Sequence, residues 1–324
     1  MSISKKRMLN FLIFFGVFLA MLIAVIAYYF VGNKAPIIQG TVKHHIPYKE
    51  DRLLDVYLPT LTVYDKHPVI IYFHGGAWVT GRKEAINFNR FNGAINVLRA
   101  NGYCVISPEY TLAREGQSPF PDCIIDAFDA IRWVENHASE YQFDLSNVGV
   151  FGESAGAHIA MMMAFAQPEM FNLVPHSIQF QYLVDVYGPA DMDMLYHGPT
   201  LDTLGKYLNK LPTSLQTHLD LSRRLFGFNP IEDTVKANDF MKRYSPVSYL
   251  NPSAPPTLLI HGNADRIVPF EQSVALKAKL DELVIENELH VLEGVDHGFI
   301  KANAGQKKLI QTWLIDFVKK HYSE

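Results

Sequence analysis

The stretch Val148-Gly149-Val150-Phe151-Gly152-Glu153-Ser154-Ala155-Gly156-Ala157-His158 restricts what this chain can fold into more than any other. A short β-branched run ends in Gly-x-Ser-x-Gly, and small residues that suit a helix start follow at once. That order predicts a strand, a sharp turn carrying Ser154, and a helix. The glycines have a steric reason. A serine lifted on so sharp a turn sits in strained backbone, and close passes of neighbouring chain leave no room for side chains at Gly152 and Gly156. The turn exposes the hydroxyl, and the helix behind it aims free N–H groups and its dipole at developing negative charge. Ser154 is therefore a candidate nucleophile. Glycine and serine are common loop residues, so the pentapeptide needs support from the rest of the chain.

A chain of 324 residues, 48% hydrophobic and 19% charged, suffices for one large α/β domain or two ordinary ones. A net charge of −4 leaves no basic footprint for nucleic acid. Two cysteines, Cys104 and Cys123, exclude a disulfide scaffold, and Cys104 lies in an apolar run that reads as core. No Cys/His cluster has zinc spacing, so neither a metal nor another cofactor is expected.

Lys5-Lys6-Arg7 precedes an uncharged, strongly apolar run over residues 8–31, longer than the ~20 residues that span a bilayer as a helix. Positive charge before it, against a single Lys34 just after, predicts a single-pass signal anchor with a cytoplasmic N-terminus and the body outside. Secretion after cleavage near Val25-Ile26-Ala27 is the alternative, but the apolar run exceeds a usual signal-peptide core of roughly 7–15 residues. Residues 32–39 read as a linker, and residues 40–324 as the folded domain.

In that domain, residues 41–48 and 53–58 alternate as an antiparallel hairpin at a sheet edge. Residues 68–73 form a continuous apolar run suited to a strand buried on both faces. They lead into His74-Gly75-Gly76-Ala77-Trp78, where two glycines let main-chain N–H groups face open space, as an oxyanion hole requires, although an ordinary glycine turn fits equally well. Helix-like stretches at 87–100, 121–141, 271–281 and 305–322 alternate with strand-like runs at 103–107, 182–187, 258–260 and 289–292. The alternation predicts a mostly parallel central sheet covered by helices on both faces. Between about 190 and 255 the rhythm breaks into short helix-like pieces rich in Leu, Met, Tyr and Phe, read as a helical cap inserted above the sheet.

The body resembles the α/β-hydrolase fold, and within it the hormone-sensitive-lipase-like and feruloyl-esterase-like carboxylesterases. His74-Gly75-Gly76-Ala77-Trp78 resembles that group's HGG motif, and Gly152-Glu153-Ser154-Ala155-Gly156 has its GESAG form. Glu109-Tyr110-Thr111-Leu112-Ala113 is similar to its DYRLAPE segment, with Thr111 and Arg114 in place of the usual Arg and Pro. His261-Gly262-Asn263-Ala264-Asp265 resembles its acid-bearing loop, and Asp296-His297-Gly298-Phe299 its histidine loop. The matches fall in the chain order Ser, Asp, His. The resemblance implies Ser154 as nucleophile, His297 as base, Asp265 holding the imidazole, and Gly75, Gly76, Ala77 and Ala155 around the oxyanion. Asp296 is the rival acid, but a residue adjoining the histidine rarely points at the same ring. His74 and His261 are expected to hydrogen-bond loop backbone, Glu153 to organise the turn, and Asp185 to anchor a loop or line a pocket. Trp78, Met192, Met194, Tyr196, Leu225 and Phe226 are candidates to line an acyl or alcohol pocket, with plain core packing the competing reading.

The expectation is thus a serine carboxylesterase acting on a small-molecule ester and tethered to a lipid bilayer. An amidase, arylformamidase or peptidase on the same triad is the alternative, and an inactive binding module a remote one. Neither the acyl and alcohol preference nor the oligomeric state is encoded legibly.

Overall fold

The computed structural model describes residues 39–88, 90–198 and 220–323. Among them eight strands form one sheet: β1 (Val42–Lys49), β2 (Arg52–Tyr57), β3 (His67–Phe73), β4 (Cys104–Pro108), β5 (Phe143–Glu153), β6 (Phe180–Val186), β7 (Thr257–Gly262) and β8 (Asn287–Leu292). Their spatial order is β1-β2-β4-β3-β5-β6-β7-β8. β1 and β2 make the antiparallel hairpin at the edge, β2 is antiparallel to β4, and every pairing from β4 to β8 is parallel.

Period-two alternation explains the buried centre. In β3, Val69, Ile71 and Phe73 enter one core while Ile70 and Tyr72 enter the other. Burying each such side chain contributes roughly 1.5–3 kcal/mol, so a run apolar on both faces belongs in the middle of the sheet. The described helices are, in chain order, α1 (Asn92–Ala100), α2 (Asp122–Asn136), α3 (Ala138–Tyr141), α4 (Ala155–Phe165), α5 (Met192–Tyr196), α6 (Leu221–Phe226), α7 (Thr234–Arg243), α8 (Glu271–Glu282) and α9 (Ala304–Lys320). Residues of α2, α4 and α8 fill the first core, and those of α1 and α9 the second. Both cysteines are free and buried, and burial pushes both thiols up out of the reactive range.

Two helix boundaries differ from expectation. The helix expected at 87–100 begins only at Asn92, after a separate 3₁₀ turn, Lys83–Asn87. Lys83 buries its ammonium against Asp55 at 3.2 Å, and its carbonyl accepts from Ser107 Oγ at 2.7 Å. That anchor fixes the turn and forces a break before α1. The helix expected to run to 141 breaks at His137, whose ring stacks on Trp133 at 4.3 Å and whose Nδ1 lies 2.8 Å from the Trp133 carbonyl oxygen. Between β6 and β7 the described residues contain no strand, only α5, α6, α7 and a short 3₁₀ turn, Pro246–Ser248. Residues 199–219 of the expected cap lie outside the described residues. So does the expected membrane span at 8–31 with all but the end of the linker; among the described residues no helix is long and apolar enough to cross a membrane.

Candidate active site

The site begins where β5 turns into α4. Ser154 holds φ 54°, ψ −121°, a conformation that non-glycine residues adopt rarely and that persists where surrounding contacts impose it. Those contacts are visible. A Cβ on Gly152 would lie 2.2 Å from the Gly156 carbonyl oxygen, and one on Gly156 would lie 2.1 Å from the Phe73 carbonyl oxygen. The Ser154 N–H donates to the Val186 carbonyl on β6 at 2.9 Å. Ser154 stands at the N-cap of α4, yet its hydroxyl does not cap the helix. It lies 3.0 Å from His297 Nε2 instead.

His297 sits on the turn after β8, with its side chain 17% exposed, and its Nδ1 donates to Asp265 Oδ2 at 2.6 Å. Asp265, on the loop after β7, has a fully buried side chain. Its Oδ1 accepts the N–H groups of Ile267 (2.8 Å) and Val268 (3.0 Å). Its Oδ2 also faces His261 Nε2 at 3.3 Å. Burial pushes this carboxyl up, but hydrogen bonds from His261 and His297 outweigh burial and bring it down to about 2. The acid and histidine loops are laced together: Ala264 N–H donates to the Val295 carbonyl, and Gly294 N–H to Asn263 Oδ1. The rival acid, Asp296, faces away from the imidazole, accepting from the Lys301 N–H at 3.2 Å.

The glycine loop lies directly against the turn. A Cβ on Gly75 would be 3.4 Å from Ser154 Cβ, and one on Gly76 (φ +129°) would be 2.0 Å from the Thr80 carbonyl oxygen. Among the described residues, the main-chain N–H groups of Gly75, Gly76, Ala77 and Ala155 meet no protein acceptor. Unpartnered donors on the loop that packs against the turn, and at the first residue of α4, suit the reception of negative charge. His74 keeps the loop rigid: its Nδ1 bonds the Gly75 carbonyl at 2.8 Å, its own carbonyl accepts Tyr110 Oη at 2.7 Å, and its ring stacks on Tyr110. It also lines a cavity of about 450 Å³ with Arg52, Arg82, Glu84 and Glu109, which does not include Ser154 or His297.

His261 does more than hold backbone. Its Nε2 bonds the Val268 carbonyl at 3.0 Å and its Nδ1 lies 2.7 Å from Ser273 Oγ, so the same ring braces the acid loop and touches the acid. Glu153 receives hydroxyl hydrogen bonds from Tyr72 and Tyr187. Asp185 is a loop anchor, with Oδ1 accepting Gly188 N–H at 2.8 Å. Trp78, Met192, Leu225 and Phe226 are buried within the first core, so packing accounts for them, whereas Met194 and Tyr196 are only partly buried. The acid-loop motif contains both His261 and Asp265 but does not predict that the ring touches the carboxylate, and no motif predicts the approach of Tyr187 to the His297 ring at 4.8 Å. Only the fold brings these residues together.

A family model described as BD-FAE matches residues 54–280. Carboxylesterase NlhH of Mycobacterium tuberculosis is 32% identical over 218 residues, covering 65% of this chain and 55% of the relative. Esterase LipQ of the same organism is 26% identical over 278 residues, covering 84% and 61%. The chain thus spans roughly half to two thirds of the length of the curated relatives it matches, for example 45% of the probable carboxylic ester hydrolase LipM. Among solved structures, a truncated carbohydrate esterase from gut microbiota superposes with a TM-score of 0.67 at 24% identity, covering 89% of this chain and 98% of that one. Esterase B from Lactobacillus rhamnosis gives 0.66 at 18% identity, covering 98% and 97%. At these identities the structural likeness speaks for the fold, an α/β-hydrolase sheet of eight strands.

Proposed function

The chain belongs to the BD-FAE family, and from that membership we propose that it is a carboxylic ester hydrolase working through a Ser154–His297–Asp265 triad. The observation that carries the reading is the unbroken line from Ser154 Oγ through His297 to Asp265, at 3.0 Å and 2.6 Å.

In this reading His297 Nε2 takes the Ser154 proton as Oγ attacks the ester carbonyl. The carbonyl oxygen becomes an oxyanion beside the N–H groups of Gly75, Gly76, Ala77 and Ala155. Each such donor is worth about 3 kcal/mol of transition-state stabilisation. The imidazolium gives its proton to the departing alcohol oxygen as the C–O bond breaks, leaving an acyl-serine. A water molecule, deprotonated by the same nitrogen, releases the acid and restores Ser154. Asp265 fixes Nδ1 as the protonated nitrogen and stabilises the cation; it does not itself take the proton.

The helices α5, α6 and α7 belong to the cap in this reading, which sets the acyl and alcohol width. The membrane span at 8–31 and its linker at 32–39 keep the hydrolase domain, from residue 40 on, on the outer face of a bilayer. The test compares the full chain with Ser154→Ala on p-nitrophenyl esters of increasing acyl length. Hydrolysis lost in the variant supports the reading. A folded wild type that ignores every ester, yet cleaves formamides or amides, moves the assignment to an amidase on the same triad.

A further inference from the structure

We propose that Tyr187 is a positioning residue that holds the His297 imidazole in line with Ser154, an inference that rests on the triad reading above.

Hydrogen bonds to Asp265 and Ser154 fix the two nitrogens of His297, but they leave the ring able to tilt about the line joining them. The turn that carries it has glycines on either side, Gly294 and Gly298, both with positive φ (69° and 67°). Something must press on the ring's flank. Tyr187 does so, with its ring centroid 4.8 Å from that of His297 and the planes inclined at 58°. Tyr187 also packs against Phe299, two residues beyond His297, with ring centroids 4.7 Å apart and the planes at 81°.

Tyr187 is itself held at three points. Its N–H donates to the Ile260 carbonyl on β7 at 3.0 Å. The preceding carbonyl, of Val186, accepts the Ser154 N–H. Its hydroxyl donates to Glu153 Oε2 at 2.7 Å, and Tyr72 secures the other oxygen of the same carboxylate. Burial, and then the neighbouring Glu153, keep this hydroxyl protonated and therefore a donor. The backbone pays for the arrangement with φ +44° at a bulky aromatic, a conformation that survives only where surroundings impose it. A closed circuit results. Glu153 and Ser154 are adjacent; Glu153 tethers Tyr187, Tyr187 backs His297, and His297 returns to Ser154.

The test uses the full chain and two readouts: turnover of p-nitrophenyl butyrate, and the rate at which a fluorophosphonate probe labels the serine. Tyr187→Leu removes the backing ring, and kcat and the labelling rate should both fall by about 30-fold or more with KM changed by less than about threefold. Tyr187→Phe keeps the ring but frees it from Glu153, so its loss should stay below about tenfold. Tyr72→Phe also removes one hydroxyl from Glu153 but leaves the Tyr187 ring tethered by its own hydroxyl, and it should label faster than Tyr187→Phe. This comparison stands even if the leucine variant does not fold. Equal rates for the two phenylalanine variants, or a folded Tyr187→Leu that labels like wild type, would overturn the inference while leaving the triad intact. A probe that reacts with Ser154→Ala as fast as with wild type would overturn the triad reading, and this inference with it.

Discussion

Asp265 shows how one carboxylate can be stabilised past its own burial. Two main-chain N–H groups and two imidazoles converge on it, and the result is a group that titrates at about 2. That value lies below the ordinary carboxylate value of about 3.9, so the ionised form contributes stability that is complete above about pH 4 and is lost as the pH falls through about 2. The contribution is on the order of 2 kcal/mol. Urea unfolding of wild type and Asp265→Asn should therefore differ most near neutrality and converge as the pH falls from about 4 through about 2; a gap independent of pH would contradict this. In turnover, Asp265→Asn removes the acceptor that sets the tautomer of His297, and kcat should fall by about 10³–10⁴-fold. Gly76 makes a steric counterpart. Any Cβ there meets the Thr80 carbonyl at 2.0 Å, so Gly76→Ala must displace the loop, and kcat should fall by about 100-fold or more while the sheet stays folded. Circular dichroism alongside kinetics checks both halves of that statement.

The strand–turn–helix unit was legible because it is local: Gly152 and Gly156 are demanded by contacts of 2.2 Å and 2.1 Å that only glycine tolerates. The apolar runs of β3 and β4 were legible for the same reason, whereas the acid and histidine loops were read through the family resemblance. What the sequence concealed depends on distant partners. Lys83 breaks the helix before Asn92 because Asp55 waits for it on another strand. Thr111 stands where the resemblance leads one to expect arginine, and the structure supplies the missing cation from β2. Arg52 Nε meets Asp126 Oδ2 at 3.1 Å and its Nη2 bonds Thr111 Oγ1 at 2.7 Å, while Thr111 itself donates to Asp126. No local pattern predicts that exchange. The end of β6 holds a similar surprise in Asp185, fully buried, with Oδ2 meeting no protein partner among the described residues. Burial lifts its carboxyl to about 7, the Gly188 N–H only partly opposing. The folded state therefore binds this proton more tightly than the unfolded chain, and stability falls as pH rises from about 4 to 7. Asp185→Asn should flatten that slope in urea titrations at pH 5 and 8; an unchanged slope would place the dependence on another group.

At the scale of the molecule, the insertion between β6 and β7 is tied to the glycine loop through aromatic rings. Tyr196 meets Phe226 at 5.2 Å, Phe226 meets Phe240 at 4.5 Å, Phe240 meets Tyr244 at 4.7 Å, Tyr244 meets Phe120 at 4.8 Å, and Phe120 meets Trp78 at 5.6 Å. His158, one turn behind Ser154 on α4, adds a hydrogen bond from Nε2 to the Tyr244 carbonyl at 2.7 Å. How these rings settle on one another depends on partners far apart in the chain, which composition alone does not encode. The proposed amino-terminal anchor belongs to the same scale. If it anchors the chain, full-length protein should stay with membranes through a carbonate wash, whereas a chain starting at Ala35 should not; equal release of both would remove the anchor from the account. The central claim is that Ser154 carries the acyl group, and the most direct measurement is to trap it. A reaction with p-nitrophenyl butyrate, quenched in acid during turnover and digested, should yield the Ser154 peptide heavier by one butyryl group, and none in Ser154→Ala. Ester turnover that persists in Ser154→Ala would contradict the account.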